Sequence, residues 1–305
     1  MKNSLNIFTV LLLSNLLFMA CGLKSVETPN ETNELIEVIE DKIEEIVEKE
    51  PEPIIKYNFI PKAEWSALKD SIQDTDKLDI IVAVNRTDLA HVGNLDSIII
   101  PQPLDLDFNA YLPFPEQVDL LREVDKIIIF SNPLQVFAAY ENGKLMLQGQ
   151  TNTGVKNSPT PDRLYFTNWK AKRSVSTVNG SWILNWNFNI SNFGGIGFHQ
   201  YGLPGRPASH SCLRLTEANA FYLYNWADQW ILNKKEHLVA NGTPVIVHGQ
   251  YDYESEKPWV KLADNPLALT LNQDSMKAII TPHLEAIMQK QKERKDYLAR
   301  QNLTL

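Results

Sequence analysis

The chain has 305 residues, of which 44% are apolar and 22% charged. These proportions belong to globular proteins and allow a core of ordinary size. The net charge of -8 comes from one stretch, since residues 27–53 hold eleven Asp and Glu against two Lys. With the remainder close to neutral there is no basic surface, and nucleic acid is excluded as a partner.

Residues 1–20 read as a targeting segment. Lys2 supplies a positive start, and residues 7–19 are apolar apart from Thr9, Ser14 and Asn15. That run is too short and too interrupted for a membrane span. It ends in Ala20-Cys21-Gly22, which resembles a bacterial lipoprotein signal. The resemblance implies that Cys21 is lipidated and that the protein sits in the cell envelope, in the periplasm, held to a membrane by its anchor. The alternative is a plain signal peptide with an incidental cysteine. Residues 21–56 read as an acidic tether; Ile36, Ile39, Ile43 and Ile46 form a helical stripe within it, too short for a stable coiled coil.

Residues 57–124 read as a small N-terminal subdomain and connector. Pro61 to Trp65 opens a short helix. Residues 80–85 are an apolar run that suits strand or helix, and residues 95–100 read as a strand before Pro101. Residues 83–86 and 97–101 weakly resemble part of a LysM peptidoglycan-binding module, over fewer than thirty residues. Pro101, Pro103, Pro113 and Pro115 point to an extended connector.

From residue 125 to 250 the pattern is mostly β. Residues 127–130 are an apolar strand. Residues 135–140 and 144–150 flank Asn142-Gly143, a strong hairpin signal. Trp182, Leu184, Trp186, Phe188 and Ile190 alternate with Ile183, Asn185, Asn187 and Asn189, so a single strand with an aromatic face and an amide face is expected. Thr216 reads as a helix N-cap, and residues 243–248 read as a closing strand. Residues 251–305 end in an amphipathic helix through Met276, Ile279, Ile280, Leu284, Ile287 and Met288. The fold class is therefore mostly β with flanking helices. The seven Trp suit either a substrate surface or a thick β core.

The candidate site is the stretch from His199 to Leu215. Apart from Cys21, Cys212 is the only cysteine. It has no partner for a disulfide, so in an oxidising compartment it has no structural role. A thiol nucleophile needs a base within reach and donors for the oxyanion. Both His199 and His210 are candidate bases. His210 and Arg214 lie two residues either side of Cys212, which puts all three on one face of an extended segment, and a fixed cation there suits a substrate carboxylate. A zinc site of Cys212, His210 and His199 is the rival chemistry; no HExxH or CxxC spacing supports it. No cofactor is called for. Papain-like enzymes place the cysteine before the histidine; here the order is reversed.

Ser209-His210-Ser211-Cys212-Leu213-Arg214-Leu215, preceded by His199, resembles the active-site signature of YkuD-type L,D-transpeptidases. Ser211 stands where the family has Gly, and Gln200-Tyr201 and Arg163 depart from its pattern. The resemblance runs from about residue 125 through the Asn142-Gly143 hairpin, residues 151–154 and Ser158-Pro159-Thr160-Pro161 to Val245. It implies a β-sandwich-like catalytic domain acting on peptidoglycan stem peptides. Cys212 is then the nucleophile and His199 the base, its ring held by a backbone carbonyl such as that of Gln200. His210, Ser211 and Cys212 shape the oxyanion hole. Arg214 orients the donor, with Ser209, Ser211, Gln200 and Tyr201 shaping the substrate pocket. The implied reaction is a 3-3 cross-link formed with loss of D-Ala. The alternatives are an L,D-carboxypeptidase or endopeptidase using the same thioester, and a non-catalytic, lipid-anchored peptidoglycan binder.

Overall fold

A computed structural model describes residues 54–302; the expected targeting segment, Cys21 and the expected tether up to residue 53 lie outside the described residues, and the tether's last residue, Lys56, opens the first strand. In chain order the elements are β1 (Lys56–Pro61), α1 (Lys62–Ser71), α2 (Thr75–Val84), β2 (Ser97–Gln102), β3 (Lys126–Ser131), β4 (Val136–Glu141), β5 (Lys144–Gln150), β6 (Arg163–Phe166), β7 (Lys170–Val175), β8 (Ile183–Ser191), β9 (Ile196–Gln200), β10 (Leu213–Leu215), α3 (Glu217–Trp226), β11 (Ile231–Leu232), β12 (Leu238–Ala240), β13 (Pro244–His248) and α4 (Gln273–Asn302).

The continuous apolar runs in β3 and β13 have no polar face, so both faces must be covered. They pair in parallel at the centre of a five-stranded sheet ordered β5-β4-β3-β13-β6. One face, through Ile127, Ile129, Tyr140 and Ile246, packs on Met276, Ile279, Ile280 and Ile287 of α4 and on Leu112, Phe114 and Leu121 of the connector. The other face, through Ile128, Phe130, Val245 and Val247, packs on Phe188, Phe198, Leu213 and Leu215 of a second sheet and on Leu223 of α3. Burying each such side chain contributes about 1.5–3 kcal/mol. The result is a sandwich of two sheets with helical cover outside the larger one.

The β4–β5 hairpin forms at Asn142-Gly143, where both residues have positive φ (50° and 79°). A Cβ on Gly143 would lie 2.7 Å from the Val118 carbonyl oxygen, so glycine is required there by backbone angle and by space. Thr216 caps α3 through the Asn219 N–H at 3.3 Å. The apolar run at residues 80–85 is helical: it ends α2, which Asp74 caps. The connector is less extended than its prolines imply. Residues Phe108–Tyr111 and Asp119–Leu121 make 3₁₀ turns that bury Tyr111 and Leu121. The C-terminal helix packs along its length: beyond the apolar stripe, Gln291 bonds to the Asp125 N–H and Glu123 O, and Arg294 bonds to Gln229 O and Asn241 O.

The second sheet, β10-β9-β8-β7, carries the candidate site. Here the expected alternation of β8 fails. Trp186 has φ 52°, and the β8–β9 register shifts between Asn185 and Phe188. This bulge moves the side-chain faces by one position. Trp186 and Phe188 turn toward α3, where Trp186 meets Phe221 and Tyr224 edge-on. Asn187 and Asn189 join Leu184 on the opposite side, lining a groove.

Candidate active site

The site begins with a pairing. β9 and β10 run parallel, with Phe198 opposite Leu213, His199 opposite Arg214 and Gln200 opposite Leu215. Phe198, Leu213 and Leu215 face the inter-sheet core. His199 and Arg214 therefore face away from it, and Cys212, two residues before Arg214, shares their side. His199, Tyr201, Ser209, His210, Cys212 and Arg214 all line one open groove, with Trp182, Leu184, Asn187 and Asn189 across from them.

Gly197 follows the same register and leaves space opposite Cys212. A Cβ there would come within 2.6 Å of the Phe188 carbonyl oxygen, a clash that the backbone cannot easily relieve. The neutral thiol of Cys212 donates to the Gly195 carbonyl at 3.6 Å. The Gly197 N–H is placed to favour the thiolate.

His199 is 3% exposed. Its Nδ1 lies 3.0 Å from the Gln200 carbonyl oxygen. That acceptor fixes the tautomer: Nδ1 carries the proton, and Nε2 keeps its lone pair. Burial pushes the imidazole down to about 4; the Gln200 bond opposes this and the Arg214 charge adds to it. Burial also pushes the Cys212 thiol above its ordinary range, against the pull of the Gly197 N–H and of Arg214. The resting pair is therefore neutral thiol and neutral imidazole, not thiolate and imidazolium.

Arg214 is committed to the loop between the strands. Its guanidinium donates to the carbonyls of Gly202 (3.1 Å) and Ala208 (2.7 Å) and lies 4.6 Å from the Tyr201 ring centroid. Two of its donors thus hold the loop between β9 and β10. Ser209 is buried, and its hydroxyl bonds to the Cys212 carbonyl at 2.5 Å, closing the turn. His210 is exposed and packs against Trp182, with ring centroids 5.4 Å apart. Among the described residues His199, His210 and Cys212 do not gather as a metal-ligand group. Neither Gln200 nor Ser211 presents its side chain to the groove. Gln200 gives its carbonyl to His199, and its side chain accepts from Asn185 at 3.3 Å.

Ser211 has φ 71°, the left-handed region where glycine is at ease and other residues are strained. Its hydroxyl bonds to the hydroxyl (3.0 Å) and carbonyl (3.1 Å) of Ser158, and its carbonyl accepts from Thr160 Oγ1 at 3.0 Å. The strained turn is thus tied to the Ser158-Pro159-Thr160 segment. No described residue accepts the backbone N–H groups of Ser211 or Cys212. Successive N–H groups around a left-handed residue make an anion-binding nest.

The N-terminal part also reaches the site. Thr87 Oγ1 and the Asp88 N–H both donate to the Leu203 carbonyl, the Asp88 carboxylate accepts the Leu203 N–H at 2.7 Å, and Asn152 ties the Arg86 carbonyl to the Gly205 N–H. Residues 86–88 thus brace the loop from outside. Sequence reasoning missed this brace, and it missed Trp182 and Gly197. The run of asparagines in β8 was the available signal for Asn187 and Asn189.

Residues 125–247 match the YkuD family, the L,D-transpeptidase catalytic domain. No curated protein matches the chain. Three solved structures illustrate the likeness. An L,D-transpeptidase in complex with imipenem is 18% identical, with 41% of this chain and 59% of its own covered at a TM-score of 0.34. The L,D-transpeptidase from Mycobacterium smegmatis is 17% identical, with 41% and 59% covered at 0.34. A cysteine-to-serine variant of the Enterococcus faecium L,D-transpeptidase is 23% identical, with 41% and 50% covered at 0.32. This chain thus spans less than two thirds of the length of each.

The neutral resting pair has a measurable signature. Alkylation of Cys212 by iodoacetamide should rise with pH in one step above the ordinary thiol range of about 8.5, with no reactive plateau on the acid side. A plateau in mildly acidic solution would reveal a preformed ion pair. The strain at Ser211 has another. Ser211→Ala keeps the left-handed angle and loses the hydroxyl bonds, and should lower stability by about 1 kcal/mol in denaturant titration. Ser211→Gly loses the same bonds but relieves about 1–2 kcal/mol of strain, and should be at least as stable as the parent protein. Equal losses in both would show that the angle carries no strain.

Proposed function

Residues 125–247 being a YkuD-type L,D-transpeptidase catalytic domain, we propose that the protein is a peptidoglycan L,D-transpeptidase with Cys212 as nucleophile and His199 as base. The observation that carries this reading is the shared groove. A single thiol and a buried imidazole with a fixed tautomer line it together, and burial favours the neutral form of each.

The stem tetrapeptide enters with its terminal D-Ala near the thiol. As Cys212 Sγ attacks the carbonyl of the third residue, His199 Nε2 takes the thiol proton. The carbonyl electron pair moves onto oxygen, and the N–H groups of Ser211 and Cys212 stabilise it. The imidazolium, strongly disfavoured by burial, returns its proton to the leaving nitrogen. The C–N bond breaks, D-Ala departs, and a thioester remains. An acceptor amine then attacks the thioester, His199 removes its proton, and the thiol is regenerated with a 3-3 cross-link formed. Arg214 acts by holding the loop and Tyr201 in place. Export and anchoring at Cys21 would put this chemistry in the cell envelope, beside its substrate.

Mass-spectrometric analysis of muropeptides after incubation tests this directly. The parent protein should turn tetrapeptides into 3-3 linked dimers with release of D-Ala, and Cys212→Ala should leave the mixture unchanged. Tripeptides alone would reassign the protein as a carboxypeptidase, and loss of existing 3-3 dimers as an endopeptidase. No product from the parent protein would favour the non-catalytic binder.

A further inference from the structure

The groove has two ends. Cys212 stands at one, and Trp169 stands at the other, the only exposed tryptophan among the described residues (39%). A single row of paired residues joins them. Cys212 precedes Leu213 and so stands opposite Gly197 on β9. Gly197 pairs with Asn189 on β8, whose N–H donates to the Trp169 carbonyl at 2.9 Å. Residues directly opposite each other on neighbouring strands share a face, and all four line the groove. Three strand spacings of about 4.8 Å put Trp169 about 14 Å from the thiol.

The indole is fixed in place but left open. Its N–H donates to Asn192 Oδ1 at 3.1 Å, and Asn168 Nδ2 donates to Asn189 Oδ1 at 3.0 Å and to Asn192 Oδ1 at 3.5 Å. Trp182, Trp186 and Trp226 each pack against another ring, whereas no ring or cation among the described residues packs on Trp169. Charge is absent from this end as well. No Asp, Glu or Lys lines the groove, and its one arginine, Arg214, belongs to the thiol end. An open aromatic face in a groove is a contact surface. Flanked by carboxamides and free of charge, this one suits a ligand with apolar C–H faces and neutral hydrogen-bonding groups at its edge. A pyranose ring is such a ligand.

We propose that Trp169 is the platform for a sugar of the glycan strand that carries the donor stem. This assignment rests on the transpeptidase reading for the place of the stem. In that reading the thiol attacks at the third residue, and the sugar is joined to the first. Three extended residues span about 10 Å, so the sugar falls beyond the peptide, at the indole end of the row. The Asn192 side chain is exposed and lines the groove beside the indole. Its oxygen is taken by Trp169, and its NH₂ group is the donor that faces the sugar's oxygens.

The test is calorimetric binding to the Cys212→Ala protein, with free stem tetrapeptide as one ligand and the same peptide joined to its N-acetylated disaccharide as the other. The disaccharide-linked peptide should bind about tenfold more tightly. Trp169→Ala should remove that advantage and leave the free tetrapeptide unchanged, and Trp169→Phe, which keeps a ring, should retain most of it. Phe193→Ala removes a fully exposed aromatic that does not line the groove and should change neither affinity. Equal binding of the two ligands to the protein with Trp169 intact overturns the platform without any change at that residue. So does equal weakening of both ligands by Trp169→Ala, or the same loss from Phe193→Ala. The two readings fail separately. Thioester formation by the parent protein, with both ligands bound equally, overturns the platform and keeps the enzyme. A disaccharide preference that Trp169→Ala abolishes, with no thioester from the parent protein, does the reverse.

Discussion

The site depends on the parallel pairing of β9 with β10. Three register pairs place His199 against Arg214 and bury Phe198, Leu213 and Leu215 beneath them. A slip of one residue would turn His199 and Cys212 into the core and bring leucines to the groove. The pairing is short, so it needs support from outside. That support comes from Asn152, bridged to Arg214 through both backbone directions, and from the Thr153 carbonyl, which accepts the Ala208 and Ser209 N–H groups. The loop that joins the two strands is held from within by Arg214 and from without by Thr87 and Asp88. Residues 86–88, far away in the chain, are therefore part of what keeps the thiol in place.

Electrostatics follow from the same packing. His199 is buried because its strand is the inner member of the pair, and burial is what keeps its imidazole neutral. The Arg214 charge lies close enough to lower the Cys212 thiol, but desolvation outweighs it. With both partners favoured in their neutral forms, the fixed charge beside them in the groove is that of Arg214. In the proposed mechanism, an imidazolium formed at this buried site would readily return its proton to a departing amine.

Much of this was legible in the residues. The uninterrupted apolar runs of β3 and β13 demanded a sheet covered on both sides, and Asn142-Gly143 marked its hairpin. The lone thiol with a histidine thirteen residues earlier marked the groove. Even the strained turn was visible, since Ser211 stood where a glycine was expected, and its φ is left-handed. The bulge in β8 was not visible, because a positive φ at Trp186 is imposed by its neighbours and leaves no trace in composition. The same applies to the second task of Arg214. Its proximity to Cys212 followed from spacing, but its bonds to Gly202 and Ala208 depend on how the loop closes. The brace at residues 86–88 is a contact of long sequence separation, which no local pattern encodes.

The central claim is that Cys212 is a nucleophile which His199 activates toward a stem peptide. Intact-protein mass spectrometry during a single turnover with free tetrapeptide measures it most directly. The account predicts a mass gain equal to the tripeptide acyl group, mapped to Cys212, absent in Cys212→Ala, and slowed about 10²–10⁴-fold in His199→Ala. A full-length tetrapeptide adduct, modification at another residue, or unchanged acylation in His199→Ala would contradict it.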